Sequence, residues 1–479
     1  MSTSAIRSPL DDRMNQLATR LSAIEILPIL STEKDDSHRG RCDNESTQPS
    51  AIYRIPTELV CEIFSLTLPH IRRIDRTPIE QPPWRLAHIC QQWRAAALSN
   101  PLFWSTITLY SPPTGWRGQS CPPLMVKTQL IRSGTAPLHI IIDSRESDIL
   151  DSCPSESIDL LIDQSHRWET ARLFLHHALA PRLATRLRRA TGKFPLLRIL
   201  EIISHNNFGQ IIGDIFSIAP SLRGVFLAVP PFLPKKQFPW SQLTHFRGAY
   251  HKSEDCVQIF LAAPNLVECG MSSASPHFSN GRSIMLSHLL RLSVTGDILA
   301  SITAPSLQEL WISGHAVLSL LAFIRCSGSL GDLRKLVVDQ CSVPADLIPI
   351  LRSLPTLRTF FVTVSRSTRV DELALFKALE IADNNPNICP NLIHIAAGGH
   401  ALFAIDAFIP MVESRWNTVD PPSTLSFMRA FYSSRMPRQV GTIQNAVALI
   451  DQMRREGLDA ALDSKLTPTG DNYLGIDRP

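Results

Sequence analysis

From Phe194 onward one pattern keeps returning: a leucine, two intervening residues, then two apolar residues one position apart, L-x-x-Φ-x-Φ with Φ apolar in most copies. Its first leucines are Leu197, Leu222, Leu243, Leu266, Leu289, Leu307, Leu333, Leu357 and Leu392, at successive steps of 25, 21, 23, 23, 18, 26, 24 and 35 residues. Apolar residues at every second position predict a strand with one buried face. A step of roughly 20–29 residues accommodates one strand and one helical or looped return. Amphipathic stretches at 210–218, 256–262, 318–324 and 347–351 stand before strands and supply such returns. In six copies a proline sits two positions before the leucine, as in Pro305-Ser306-Leu307. One helix and one strand cannot bury a core alone, so the pattern predicts stacked neighbours over residues 193–400.

The same alternation assigns an outward row. With the motif's apolar positions pointing inward, Glu201, Phe226, Arg247, Gly270, Ser293, Trp311, Val337, Phe361 and Ala396 face the other way. Phe226, Trp311 and Phe361, beside Arg247 and Glu309, are candidate target-binding residues, because aromatic anchors among charges suit protein recognition. The competing expectation is that another layer, residues 411–479, covers this face.

Upstream the pattern differs. Ser8 and Pro9 open a helix whose Leu10, Met14, Leu17, Leu21 and Ile24 lie on one seam, so residues 1–30 read as a short helix. Residues 31–51 are almost wholly polar and read as a disordered linker. Over 52–104, Leu59, Ile63 and Leu66 take helical spacing, and a second amphipathic segment carries Trp84, Leu86, Ile89, Cys90 and Trp93. Asn100-Pro101 stops it. Residues 105–192 read as an α/β connection, with strands at 138–143 and 168–175 and helices at 155–166 and 180–189. Residues 401–479 read as a C-terminal cap and tail, with an apolar segment at 401–416, a strand at 425–432 and a helix at 440–456.

Residues 52–104 resemble the F-box, in the form abundant among F-box-like proteins of mushroom-forming fungi. The opening Leu-Pro of that family stands here as Ile55-Pro56, followed by Glu58, Leu59, Ile63 and Phe64. Its hydrophobic-Cys-x-x-Trp-Arg signature falls on Ile89, Cys90, Trp93 and Arg94, and its Pro-x-x-Trp tail on Pro101 and Trp104. The stretch 71–83 is longer than a compact F-box places between its helices. The repeats resemble a degenerate leucine-rich-repeat array, common behind F-boxes. They depart from it at the Asn/Cys position, which only the copy from Leu333 to Cys341 completes, while His205, His251, His315 and His400 occupy that register in four others. Imidazole standing in for the Asn amide as a donor to loop carbonyls is the leading explanation; coincidence is the main alternative. The expected architecture is α/β: a small helical F-box followed by a degenerate leucine-rich-repeat-like solenoid. The resemblance implies docking on a Skp adaptor, and through it a cullin, by Ile55, Pro56, Leu59, Ile63 and Trp93.

Composition narrows the rest. The 479 residues are 44% hydrophobic and only 19% charged, with a net charge of +4. That balance disfavours a nucleic-acid or anionic-membrane partner. Ten cysteines, none in a C-x-x-C pair, suit a reduced compartment better than a disulfide or zinc framework. Asp11, Asp12, Arg13, Arg20 and Glu25 interrupt any apolar leader, and no apolar run approaches a membrane span of about 20 residues. A cytoplasmic and/or nuclear location is expected. No phosphate-binding glycine loop, H-E-x-x-H or G-x-S-x-G is present. His176-His177 has no neighbouring metal-type carboxylate, and Cys90 falls on an apolar face and reads as core. Neither catalysis, nor a cofactor, nor a metal is expected. The function implied is that of a substrate receptor of a Skp–cullin–F-box ubiquitin ligase holding an unknown protein target; the alternative is a repeat scaffold without a ligase role.

Overall fold

The computed structural model describes residues 55–67, 83–110, 122–144, 155–176, 179–204, 215–228, 238–250, 253–273, 283–295, 298–328, 331–365, 368–382, 387–399, 404–417, 425–432 and 440–463. The helix expected over 1–30, the linker over 31–51, and His205, His251 and His400 lie outside these residues, as does the side chain of His315. The fold is mixed α/β with a large parallel sheet. The chain divides into two compact units, Met1–Leu179 and Ala180–Pro479.

In the first unit α1 (Thr57–Thr67) starts where the Pro56 carbonyl accepts the Leu59 and Val60 amides at 3.0 and 3.1 Å. Proline has no amide hydrogen to leave unpaired, so it suits this edge. α2 (Gln91–Ser99) is capped by the Cys90 thiol, which accepts the Trp93 amide at 3.4 Å. Cys90 is therefore half-buried at a helix start, not in the core its apolar neighbours suggested. Asn100 ends α2 and caps the next turn, its side chain accepting the Leu102 amide at 3.1 Å. Val60, Phe64, Leu86, Ala96, Ala97, Phe103 and Trp104 form the helical core. The Trp104 indole donates to the Ala97 carbonyl at 2.8 Å, and the Arg132 guanidinium lies 4.2 Å from its ring centre. After the helices come β1 (Thr106–Tyr110), α3 (Pro123–Arg132), β2 (Leu138–Asp143), α4 (Ser155–Asp163) and β3 (Trp168–Leu175), with β1, β2 and β3 parallel and paired in chain order.

α5 (Leu179–Leu187) leads into the second unit, where strands follow one another in parallel. They are β4 (Ile199–Ser204), β5 (Gly224–Ala228), β6 (His245–Tyr250), β7 (Glu268–Ser273), β9 (Arg291–Thr295), β11 (Glu309–Ser313), β12 (Lys335–Cys341), β13 (Thr359–Val364), β14 (His394–Gly399), β15 (Phe427–Tyr432) and β16 (Asp459–Asp463). Two short strands, β8 (Ile284–Met285) and β10 (Ile302–Thr303), pair separately. The returns hold α6 (Ser253–Ala262), α7 (Val317–Cys326), α8 (Leu347–Arg352), α9 (Arg369–Leu379), α10 (Ile405–Trp416) and α11 (Val440–Arg455).

All nine motif leucines are buried, and so are the apolar positions Leu200, Val225, Phe246, Cys269, Leu292, Leu310, Leu336, Phe360 and Ile395. The leucine anchors a recurring joint. After Leu243, the Thr244 and His245 amides both donate to the Arg223 carbonyl, at 2.9 and 3.0 Å. After Leu307, Gln308 and Glu309 donate to Leu290 at 2.9 and 3.0 Å, and after Leu357, Arg358 and Thr359 donate to Arg334 at 2.8 and 2.9 Å. A carbonyl has two lone pairs, so one acceptor starts each strand on its predecessor and fixes its register. The joint recurs beyond residue 400: Ser426 and Phe427 donate to Ile393 after Leu425, at 2.9 and 3.2 Å.

Candidate functional site

The register places the outward row as one line across the sheet. Glu201 pairs with Phe226, Phe226 with Arg247, Arg247 with Gly270 and Gly270 with Ser293. Ser293 pairs with Trp311, Trp311 with Val337, Val337 with Phe361 and Phe361 with Ala396. The line runs on through Arg429 and Ala461. Phe226, Arg247, Trp311 and Phe361 are half-buried, while Glu201, Gly270, Val337 and Ala396 are buried between their larger neighbours. Within the segment expected as a possible cover, the described strands β15 and β16 extend the sheet beside β14.

Two positions earlier on the same face lies a second line, and it carries the charge. Glu268, Arg291, Glu309 and Lys335 stand on adjacent strands in one register. Glu268 lies between Arg247 at 4.0 Å and Arg291 at 3.4 Å; Glu309 lies between Arg291 at 3.3 Å and Lys335 at 3.7 Å. Gly270 makes room for this arrangement, because a Cβ there would sit 3.1 Å from Cγ of Arg247. Partly exposed pairs of this kind contribute about 0–1 kcal/mol each, so the ladder orients side chains more than it stabilises the sheet. Burial pulls the Lys335 ammonium below the ordinary lysine range; Glu309 opposes the shift and Arg291 adds to it.

These residues line a shallow depression with Trp311 at its side. The Trp311 indole nitrogen is buried and has no hydrogen-bond acceptor among the described residues. Leaving such a donor unpaired costs roughly 1–3 kcal/mol. Past β12 the face turns aromatic. Phe361 and Phe427 have ring centres 6.5 Å apart, His394 meets Phe427 edge-on at 5.5 Å, and the Arg429 guanidinium lies 4.2 Å over the Phe427 ring. Burial, then Lys335, holds the His394 imidazole below its ordinary range against the pull of Asp459.

Of the five target-binding candidates, Arg247, Glu309 and Trp311 line the depression together; Phe226 stands one strand away and Phe361 two strands beyond Trp311. Glu268, Arg291 and Lys335 were not singled out from the sequence, where Glu309 alone was named from this second line. Reading two residues further back along each strand would have found all three.

The adaptor-binding candidates of the first unit are distributed differently. Pro56 is exposed, Ile55, Ile63 and Trp93 are half-buried, and Leu59 is 4% exposed. Ile55 and Trp93 pack on the helical core, where the Trp93 ring stands edge-on to Phe64 at 5.1 Å. The apolar side chains most open to solvent in these helices and their flanking turns are Leu102 (60%), Ile89 (53%) and Leu98 (44%).

Buried thiols are poor nucleophiles here: burial pushes Cys341 up to about 11 and Cys389 up to about 12. Among the described residues, no group of His, Cys, Asp and Glu could hold a metal ion, and no helix is long and apolar enough to cross a membrane. The chain matches no known protein family, and no curated protein was found to match it.

Proposed function

We propose that this chain is a substrate-receptor subunit of a Skp–cullin–F-box ubiquitin ligase, acting in the cytoplasm and/or nucleus. Its helices over 52–104 act as an F-box that docks on a Skp adaptor, and a leucine-rich-repeat-like solenoid holds the protein target. The observation that best supports a target-holding face is the outward row: half-buried aromatics and ions aligned across adjacent parallel strands, with one indole donor unpaired. The chain is then not an enzyme. It supplies proximity, turning a bimolecular encounter into an effectively intramolecular one. Docking draws on the exposed Pro56, the half-buried Ile63 and the open side chains Ile89, Leu98 and Leu102, whose apolar area a partner would cover.

A second reading keeps the repeats as a scaffold without a ligase role. It is favoured by Leu59, Ile55 and Trp93, which serve their own helical unit in the free chain. A pulldown with purified Skp adaptor separates the two. The comparison is between the natural chain and an Ile89→Glu, Leu98→Glu, Leu102→Glu variant, with matching circular dichroism. These side chains face solvent, so the variant keeps its core, whereas Trp93→Ala would not. Stoichiometric capture of the natural chain and its loss in the variant are expected. Absence of capture by the folded natural chain removes the ligase role and leaves the scaffold.

A further inference from the structure

The charge ladder holds more cation than anion. Three cations, Arg247, Arg291 and Lys335, and two carboxylates, Glu268 and Glu309, line the depression, and each carboxylate already sits between two cations. A further cation would meet no unshared carboxylate there; an anion would meet an excess positive charge. Beside it stands the Trp311 ring, half-buried and lining the same depression. Trp311 and Phe361 stand two strands apart, about 9–10 Å at ordinary strand spacing, so one short segment can touch the ladder and an aromatic ring at once.

We propose that this face takes an acidic peptide segment of a protein target: a carboxylate over Arg291 and Lys335, the peptide backbone against the Trp311 ring, and an adjoining apolar side chain on the Phe361 side. The proposal rests on the reading of this sheet face as the target-binding surface and names the chemistry of what it holds. Complementarity of this kind sets partner choice more than affinity, since like charge across an interface is penalised heavily. It also separates this surface from the exposed apolar side chains of the helical unit, which carry no comparable ladder.

The test uses the full chain and fluorescein-labelled nonapeptides with a central Asp-Asp-Leu-Phe, Asn-Asn-Leu-Phe, Lys-Lys-Leu-Phe or Asp-Asp-Ser-Ser. Anisotropy reads affinity; the indole 15N–1H resonance of Trp311, assigned through a Trp311→Phe variant, reads location. The Asp-Asp-Leu-Phe peptide is expected to bind at least tenfold tighter than the Asn and Lys peptides and than Asp-Asp-Ser-Ser. Its binding should weaken as salt rises, and it should shift the Trp311 resonance. Arg291→Gln, checked for native circular dichroism, should weaken it about tenfold, and Trp311→Phe several-fold. Preference for the Lys peptide overturns the acidic class while keeping the face as a binding surface. Binding that leaves the Trp311 resonance unmoved overturns the site. Binding of no peptide, with the adaptor still captured, overturns the target chemistry while the receptor reading stands.

Discussion

Arg415 shows what one residue contributes when its charge is met by backbone. The side chain is buried in α10, and its guanidinium donates to three carbonyls: Leu379 at 2.7 Å, Ile388 at 2.6 Å and Cys389 at 3.2 Å. Those carbonyls belong to the end of α9 and to the turn before Leu392, so one planar fork ties α10 to the segment that launches β14. Burial pulls its pKa down to about 10, which still leaves it charged at neutral pH. Arg415→Met keeps the length but takes the guanidinium from the Leu379 and Ile388 carbonyls, while the Cys389 carbonyl keeps the Leu392 amide at 3.2 Å. It should cost about 2–4 kcal/mol in urea unfolding, at roughly 1–3 kcal/mol for each buried carbonyl left without its donor. Arg415→Lys should recover only part, because an ammonium cannot match a planar fork. A loss below about 1 kcal/mol for Arg415→Met would show that water replaces the contacts. Nothing in the sequence marks this arginine. Its neighbours Glu413 and Trp416 read as the polar end of an apolar stretch, and only the helix phase turns it inward.

At the scale of elements, the sequence was most legible where alternation and turn chemistry agree. Strands β4 to β14, the short pair β8 and β10 aside, start two residues after a leucine that the pattern named, because that leucine's burial fixes which side chains alternate inward. The same rule carried the outward row into its observed register. It left out the copy at Leu425, although its inward positions, Met428 and Ala430, are buried and as apolar as Ile395 and Ala397 after Leu392. It could not show where two loops cross. The turn after β11 presses Gly314 against the bulged end of β12: a Cβ on Gly314 would lie 2.2 Å from the Gln340 carbonyl oxygen and 2.7 Å from Cα of Cys341. Gln340 itself sits at φ 56, a left-handed conformation that disfavours a side chain. Its amide donates to the Thr363 hydroxyl at 2.8 Å, so the neighbouring strand holds the bulge in place. Gly314→Ala should therefore destabilise by about 3 kcal/mol or more, since backbone must move. Gln340→Gly should be neutral or stabilise by up to about 1 kcal/mol. Paired thermal melts decide it: equal behaviour of the two variants would mean that the loops do not meet as described.

For the molecule as a whole, the consequence of sequential pairing is that each strand of the second unit depends on its immediate neighbours. β15 touches β14 and β16, and none of the strands between β6 and β12 that bear the charge ladder. Stability in such an array approximates a sum of unit and nearest-neighbour terms, so an end can be lost without dissolving the middle. A chain ended after Asn417 keeps α10 and its Arg415 contacts but loses β15, α11 and β16. Met428, Ala430, Ile450, Met453 and Ala460 go with them, and with them the apolar cover they give their neighbours. Exposed β14 then becomes an unpaired edge, which calls for dilute samples and a check of oligomeric state. The truncated chain should melt earlier yet bind the Asp-Asp-Leu-Phe peptide within about twofold of the full chain, with the same peptide-induced shift of the Trp311 indole resonance. Phe427 and Arg429 leave with β15, so a larger loss of affinity would extend the binding face onto the aromatic half of the sheet. Collapse of the whole second unit in circular dichroism would instead mean that the array folds as one cooperative body and that its terminal strands hold the ladder in register from a distance.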